Sequence, residues 1–314
     1  MATSGSVNFT LTAGQVIDKA FGKVGVKSAE QALQASEMQD GLDALNLLLK
    51  LMQAQGLHLW TREEGVLFLD AGKTDYLVGP SGDKATTLDD FEGTTTTAAE
   101  AALATVIDVE DSTGMTAADI VGIQLDDGTR HWTTIVSVDS SIQITITTGI
   151  PSGAALGNTV FTYTNIIERP LRVTSFRRKT FAADNEIPVN QWSRSEYFNQ
   201  TNKESQGTVV NAYYSPLLTN GRVYVWQTAS SVNDYVRLSF QRAIEDVDAK
   251  TDNLDIPVEW LEPIIYGVAA RLVDDYNIAP EKGDRLILKA QAMLDEVLGW
   301  DQEYESINLQ PDFN

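Results

Sequence analysis

The 314-residue chain has no cysteine, which excludes disulfide frameworks, cysteine-ligated zinc, iron–sulfur clusters and thiol catalysis. Two histidines, His58 and His131, argue against a His-rich metal site as well. Basic residues are scarce: 23 Lys and Arg stand against 44 Asp and Glu, a net charge of −21. Wrapping nucleic acid needs positive surface that displaces phosphate counterions, and this balance argues against it. A negative lumen that lets a duplex slide through stays compatible, and acidity also serves solubility alone. No apolar run approaches the ~20 residues of a membrane span, so no membrane-spanning segment is expected. The opening MATSGSVNFTLTAG lacks a basic region followed by an apolar one, so a secretory signal is not expected either. P-loop, dinucleotide and HExxH signatures are missing, and the expected cofactor set is empty.

What is present begins with amphipathic helices. Val16, Ala20 and Val24 predict a helix that starts after Thr12 and closes at Gly25. Met38, Leu42, Leu45, Leu49 and Met52 step by four, three, four and three, which predicts a second helix with Ser36 as N-cap. Gly56 is its expected left-handed stop, and the two helices are expected to pack as a hairpin. Beyond them, Leu59 and Trp60 sit at the joint to strand-like sequence, where a large aromatic pins a helix layer onto a sheet. Near the other end, Leu261, Ile265, Val268 and Leu272 form one stripe. Leu286, Ala290, Met293 and Val297 form another after Pro280.

The middle reads as sheet. VLFLD and TDYLVGP are short strands, and 86–99 (TTLDDFEGTTTTAA) reads as a linker or exposed loop. Five strand-like runs follow, with Asp127-Gly128 as a hairpin turn and Ile142, Ile144 and Ile146 alternating with polar neighbours. Strands resume from Asn165, and Asn220-Gly221 predicts a tight hairpin. The expected organisation is α+β. It comprises an N-terminal arm and helical hairpin (1–64) and a central antiparallel β domain (65–85 plus 165–245). An inserted small β-barrel or sandwich module follows (86–164), then C-terminal helices sharing one bundle with the first pair (246–299) and an extended arm (300–314).

Chemical constellations are few. Arg169, Arg172, Arg177, Arg178 and Lys179 are the only concentrated basic stretch, with Arg177, Arg178 and Lys179 as possible contacts to DNA or an acidic partner. Strand alternation and internal ion pairing explain the same residues without a ligand. Residues 245–305 hold sixteen Asp and Glu against five Lys and Arg, either a solvated face or part of a negative collar. Asp126-Asp127, Asp274-Asp275 and Asp295-Glu296 are adjacent carboxylates, and adjacent residues on a helix or strand do not face one another as a glycosidase pair must. Trp192, Tyr197, Phe198, Tyr213, Tyr214, Tyr224 and Trp226 form an aromatic stretch that serves equally as a sugar or partner site or as sheet packing.

Two segments carry a resemblance. LNLLLKLMQAQGLHLWTREE ends a helix in Gly-Leu-x-Leu-Trp. IPVEWLEPIIYGVAARLVDDYNI is followed by a Pro-containing turn and another amphipathic helix. Together they resemble the head-to-tail adaptor (tail accessory factor, connector) proteins of short-tailed bacteriophages, over about 11–86 and 165–298. DIVGIQLDDGTRHWTTIVSVDSSIQITITTGIPSG is similar to a β insert of related phage proteins. The resemblance implies a structural virion protein, synthesised in the host bacterial cytoplasm and placed at the head–tail junction, and with no catalytic constellation in the sequence no enzyme activity is expected. It further implies a dodecameric ring of identical subunits docked on a portal protein, a downstream tail or nozzle protein, and double-stranded DNA passing through the lumen without sequence-specific binding. In that frame Trp300, Tyr304, Ile307, Leu309 and Phe313 form the portal-binding arm. Leu59, Trp60 and Trp260 are anchors, between subunits or between helix and sheet. Some members of the family are credited with peptidoglycan hydrolysis, and no motif here receives that activity residue by residue. A cell-wall glycosidase acting through carboxylates and a sugar-binding tail module are the rival expectations.

Overall fold

A computed structural model describes residues 5–27, 31–56, 59–183 and 185–301. The protein is mixed α and β, with five α-helices among the described residues and two large, mainly antiparallel sheets. It divides into two compact units, one formed by 1–61 with 244–314 and the other by 62–243.

The first unit is helical. Helix α1 (Ala13–Val24) starts with a capping box: the Thr12 hydroxyl takes the Gln15 N–H while the Gln15 side chain takes the Thr12 N–H. It stops at Gly25, whose φ of 81° is the left-handed conformation that glycine adopts without penalty. Helix α2 (Ala35–Gln55) is capped by Gln34 and Glu37 rather than by Ser36, which lies inside the helix. Gly56 is extended, with φ near −178°, so the helix ends without the left-handed turn expected of it. A 3-10 turn (Leu59–Thr61) follows, then the sheet unit, and the chain returns through a second 3-10 turn (Val258–Trp260) into α4 (Leu261–Asp275) and α5 (Pro280–Trp300). Pro263 falls in the first turn of α4, where its missing N–H breaks no intrahelical bond.

One core joins the two ends of the chain. Val16, Ile17 and Phe21 of α1, Leu45 and Leu49 of α2, and Ile264, Val268 and Leu272 of α4 are all fully or nearly buried in it. The expected α1–α2 hairpin is a minor contact, since α1 packs chiefly on α4. Two glycines permit the close approaches: a Cβ on Gly41 would lie 2.3 Å from Ile17 Cγ2, and one on Gly267 2.6 Å from Leu48 Cδ2. Asn46 ties α2 to the returning chain segment by taking the Val247 N–H and donating to its carbonyl.

The second unit holds the strands. In chain order they are β1 (Arg62–Phe68), β2 (Asp75–Val78), β3 (Ala85–Thr87), β4 (Glu92–Thr95), β5 (Val106–Asp108), β6 (Ile120–Gln124), β7 (Arg130–Ser140) and β8 (Gln143–Ile146). Then come β9 (Thr159–Tyr163), β10 (Arg172–Thr180), β11 (Ile187–Gln191), β12 (Gln206–Gly207), β13 (Asn211–Ser215), β14 (Gly221–Trp226), β15 (Thr228–Ala229) and β16 (Asp234–Gln241), with helix α3 (Arg194–Asn199) after β11. The eight-stranded sheet runs β2-β14-β13-β11-β10-β16-β1-β3, and β11 pairs with β13 in parallel. The six-stranded sheet runs β4-β9-β6-β7-β8-β5. Its outer strands meet through the Thr96–Val109 bridge, with Glu110 N–H donating to the Thr95 carbonyl at 2.9 Å, so the sheet curls toward a barrel over Val121, Ile123, Ile144 and Val160.

Residues 86–99 are therefore not a linker. Thr86 and Thr94 are buried, and β4 pairs with β9 from Glu92 to Thr95. Threonine suits a strand as well as a loop, and the pairing partner lies about 65 positions on, beyond any local pattern. Asn220-Gly221 is likewise no tight hairpin. Ser215 faces Arg222 across a longer loop, Gly221 is a strand residue opposite Val78, and Asn220 bonds Ser81.

Arg130 fastens the two sheets of this unit. Its guanidinium donates to the Gly122 carbonyl at 3.0 Å, the Thr159 hydroxyl at 2.9 Å and the Val232 carbonyl at 2.7 Å, and lies 4.0 Å over the Phe161 ring. Burial pulls its pKa down to about 9, partly offset by Asp70.

Candidate functional site: a tryptophan groove in the helical unit

The structure brings four of the sequence-predicted site residues to one place. Leu59, Trp60, Trp260 and Trp300 line a groove of about 400 Å³, together with Pro257, Glu259, Glu296, Val297 and Asp301. Each element supplies its part for a local reason. The 3-10 turn after α2 delivers Leu59 and Trp60, and Pro257 caps the turn that carries Glu259 and Trp260. The last turn of α5 presents Glu296 and Trp300, four residues apart and therefore on one face. The Leu59 N–H donates to Asp301 Oδ1 at 2.9 Å, joining the first turn to the end of α5.

Trp260 is the floor, 3% exposed, with its ring 6.2 Å from that of Trp60 and tilted by 59°. Trp60 is half-buried and Trp300 is 88% exposed. Trp60 thus packs on Trp260 within the helical unit. Glu259 and Glu296 are exposed on the rim, with no cation within ion-pair distance among the described residues. An indole floor takes an apolar or planar group, and carboxylates above it favour positive charge. The sequence reading missed Glu259 and Asp301, and took Glu296 only as half of an adjacent carboxylate pair. The i, i+4 spacing of Glu296 and Trp300, and the adjacency of Glu259 to Trp260, were the available signals.

The other expected residues lie elsewhere. Tyr304, Ile307, Leu309 and Phe313 of the arm fall outside the described residues, as does His58. Arg177 and Arg178 are on β10 in the sheet unit. Arg177 pairs with Glu64 and lies 3.4 Å from Glu186, which also holds Arg237 on the facing strand; Arg178 lies 3.9 Å from Asp234. These carboxylates offset the repulsion of Arg177 and Arg237, which are directly opposite. Their charge is used inside the sheet, and Lys179 alone of the three has no carboxylate within 4 Å among the described residues.

The aromatic stretch resolves into packing. Tyr213 stacks on Tyr224 at 5.6 Å, Trp192 on Trp226 at 5.5 Å, and Tyr197 of α3 is buried against Tyr224 at 4.8 Å. Of the adjacent carboxylates, Asp126 accepts from the Ala155 N–H and the Asn158 amide, and Asp127 from the Thr129 N–H and hydroxyl, which pulls its pKa down. His131 contacts the Thr148 carbonyl at 3.2 Å. Among the described residues no group of three or more His, Asp or Glu is placed to hold a metal ion, and no helix is long and apolar enough to cross a membrane. The chain matches no protein-family model, and a search of curated proteins finds no match.

Proposed function

We propose that the chain is a structural subunit of a phage head-to-tail adaptor, which docks beneath the portal as a ring and extends the DNA channel toward the tail. In this reading the helices from the two chain ends form one bundle. The eight-stranded sheet is the central β domain, and the six-stranded sheet is an inserted barrel-like module facing later tail components. The tryptophan groove, open beside the exposed Trp300, is the observation that carries it. Apolar surface of that kind, rimmed by polar groups, marks a place where another protein sits.

Three further features support the reading. Both segments that carry the family resemblance contribute to the groove, through Leu59 and Trp60 on one side and Pro257, Glu259 and Trp260 on the other. Leu47 and Leu51 of α2 and Ile287 and Leu288 of α5 are exposed, as subunit flanks completed by identical copies would be. The acidic stretch 245–305 belongs to the same helical unit and suits the negative wall of a DNA passage. The role is assembly rather than catalysis.

Native mass spectrometry of the purified chain with and without its portal tests the proposal. The expected result is one discrete, ring-sized oligomer on the portal. A chain that stays monomeric beside portal and is missing from purified virions would overturn it.

A further inference from the structure

The groove has a chemistry more specific than apolar docking. Trp300 offers exposed indole surface at its side, with Trp60 half-buried beside Trp260, while Glu259 and Glu296 stand on its rim without a cation partner among the described residues. The carboxyl end of α5 opens on the same space. Its last turn contains no basic residue, and the negative end of a helix dipole adds to the field of the two carboxylates. Flat π faces together with carboxylates are complementary to one side-chain group above others. A guanidinium is planar and weakly hydrated, so it stacks on an indole face while donating paired N–H bonds to a carboxylate. An ammonium forms the charge contact but lacks the fork and the flat face.

We infer that the tryptophan groove is a receptor for an arginine side chain presented by a partner protein, stacked against Trp300 and bonded to Glu259 or Glu296. The inference rests on the groove being a docking site for another protein, and it adds which residue type of the partner enters. A groove of about 400 Å³ holds one such side chain with its flanking backbone, so the partner segment is a short exposed loop or tail carrying an arginine.

The test uses the full chain and two short peptides, acetyl-Gly-Arg-Gly-Arg-Gly-amide and the same peptide with citrulline for arginine. Citrulline keeps the shape and loses the charge. Indole N–H resonances of Trp60, Trp260 and Trp300 are assigned by single Trp→Phe variants and followed to about 10 mM peptide. Saturable shifts of Trp60 and Trp300 with the arginine peptide are expected, at least about tenfold weaker with citrulline or in the Glu259→Gln/Glu296→Gln double variant. Both glutamates are exposed, so this variant keeps the fold, which the unchanged remaining indole resonances verify. Absent shifts, equal binding of the two peptides, or full binding by the double variant would each overturn the inference. Ring formation on the portal is scored separately: rings without arginine binding would sink only the arginine site, and arginine binding without rings would sink only the adaptor role.

Discussion

In the sheet unit Arg177, Arg178, Arg222, Arg237 and Arg242 each lie within 4 Å of a carboxylate of the same unit, whereas in the helical unit Glu259, Glu262 and Glu296 have no cation that close among the described residues. The aromatics follow the same division. Tyr197, Tyr213 and Tyr224 cover one another, and Phe68, Phe91, Phe161 and Tyr235 form a shared cluster, while Trp300 projects into solvent beside a groove. Arginines paired with carboxylates and rings stacked on one another within one unit serve the stability of that unit. Exposed carboxylates beside an open ring are free to meet something outside the chain, and in the proposed reading the partner surface lies in the helices.

The contrast breaks most sharply through the cores. Leu45→Ala removes a fully buried side chain from the helical unit and is expected to cost about 2–5 kcal/mol. Hydrogen exchange should then show lost protection in α1, α2 and α4, with β16 amides unchanged; equal loss in both units would show them to be one cooperative body. Arg130→Ala tests the other side. It leaves the Val232 carbonyl and the Thr159 hydroxyl without their buried donor, at about 1–3 kcal/mol each, and should raise exchange in β6, β7 and β9. Unchanged exchange there would show that the aromatic cluster alone fastens the sheets.

How much of this was legible in the sequence depends on the range of each interaction. Helix α1 was readable to both ends, because Thr12, Gln15 and Gly25 act within a turn of the residues they cap. Strands β6 to β9 were readable from alternation and the Asp127-Gly128 turn, where Gly128 has φ of 83°. Strand β4 was hidden, since only pairing with β9 makes Glu92–Thr95 a strand. The groove was half legible. Its tryptophans stood out as large aromatics at element joints, but the convergence of residues 60, 260 and 300 belongs to the packing of the two chain ends and leaves no local trace.

Smaller effects sharpen the same comparison. Trp300→Ala removes an exposed ring, so thermal unfolding should move by no more than about 0.5 kcal/mol while assembly on a partner is lost; an unfolded variant would show that Trp300 is part of the core. Acid below the ordinary carboxylate range should act on the turns of the sheet unit. Side-chain bonds from Thr113, Thr129 and Thr145 hold Asp111, Asp127 and Asp139 below their ordinary range, and the Ser193 N–H does so for Glu196. Folding lowers these pKa values. The stabilisation is therefore present above the ordinary carboxylate range and is lost as pH falls through the depressed folded-state values. Exchange at the Thr113 and Thr129 amides, which bond these carboxylates, should rise over that window; constant protection would show the turns to be held by backbone bonds alone.

Electron cryomicroscopy of the assembled head–tail junction, at side-chain resolution, addresses the tryptophan groove most directly. Density from a second protein chain lying between Trp60 and Trp300, over the Trp260 ring, is the predicted result. A groove open to bulk solvent in every copy of the finished assembly would contradict it.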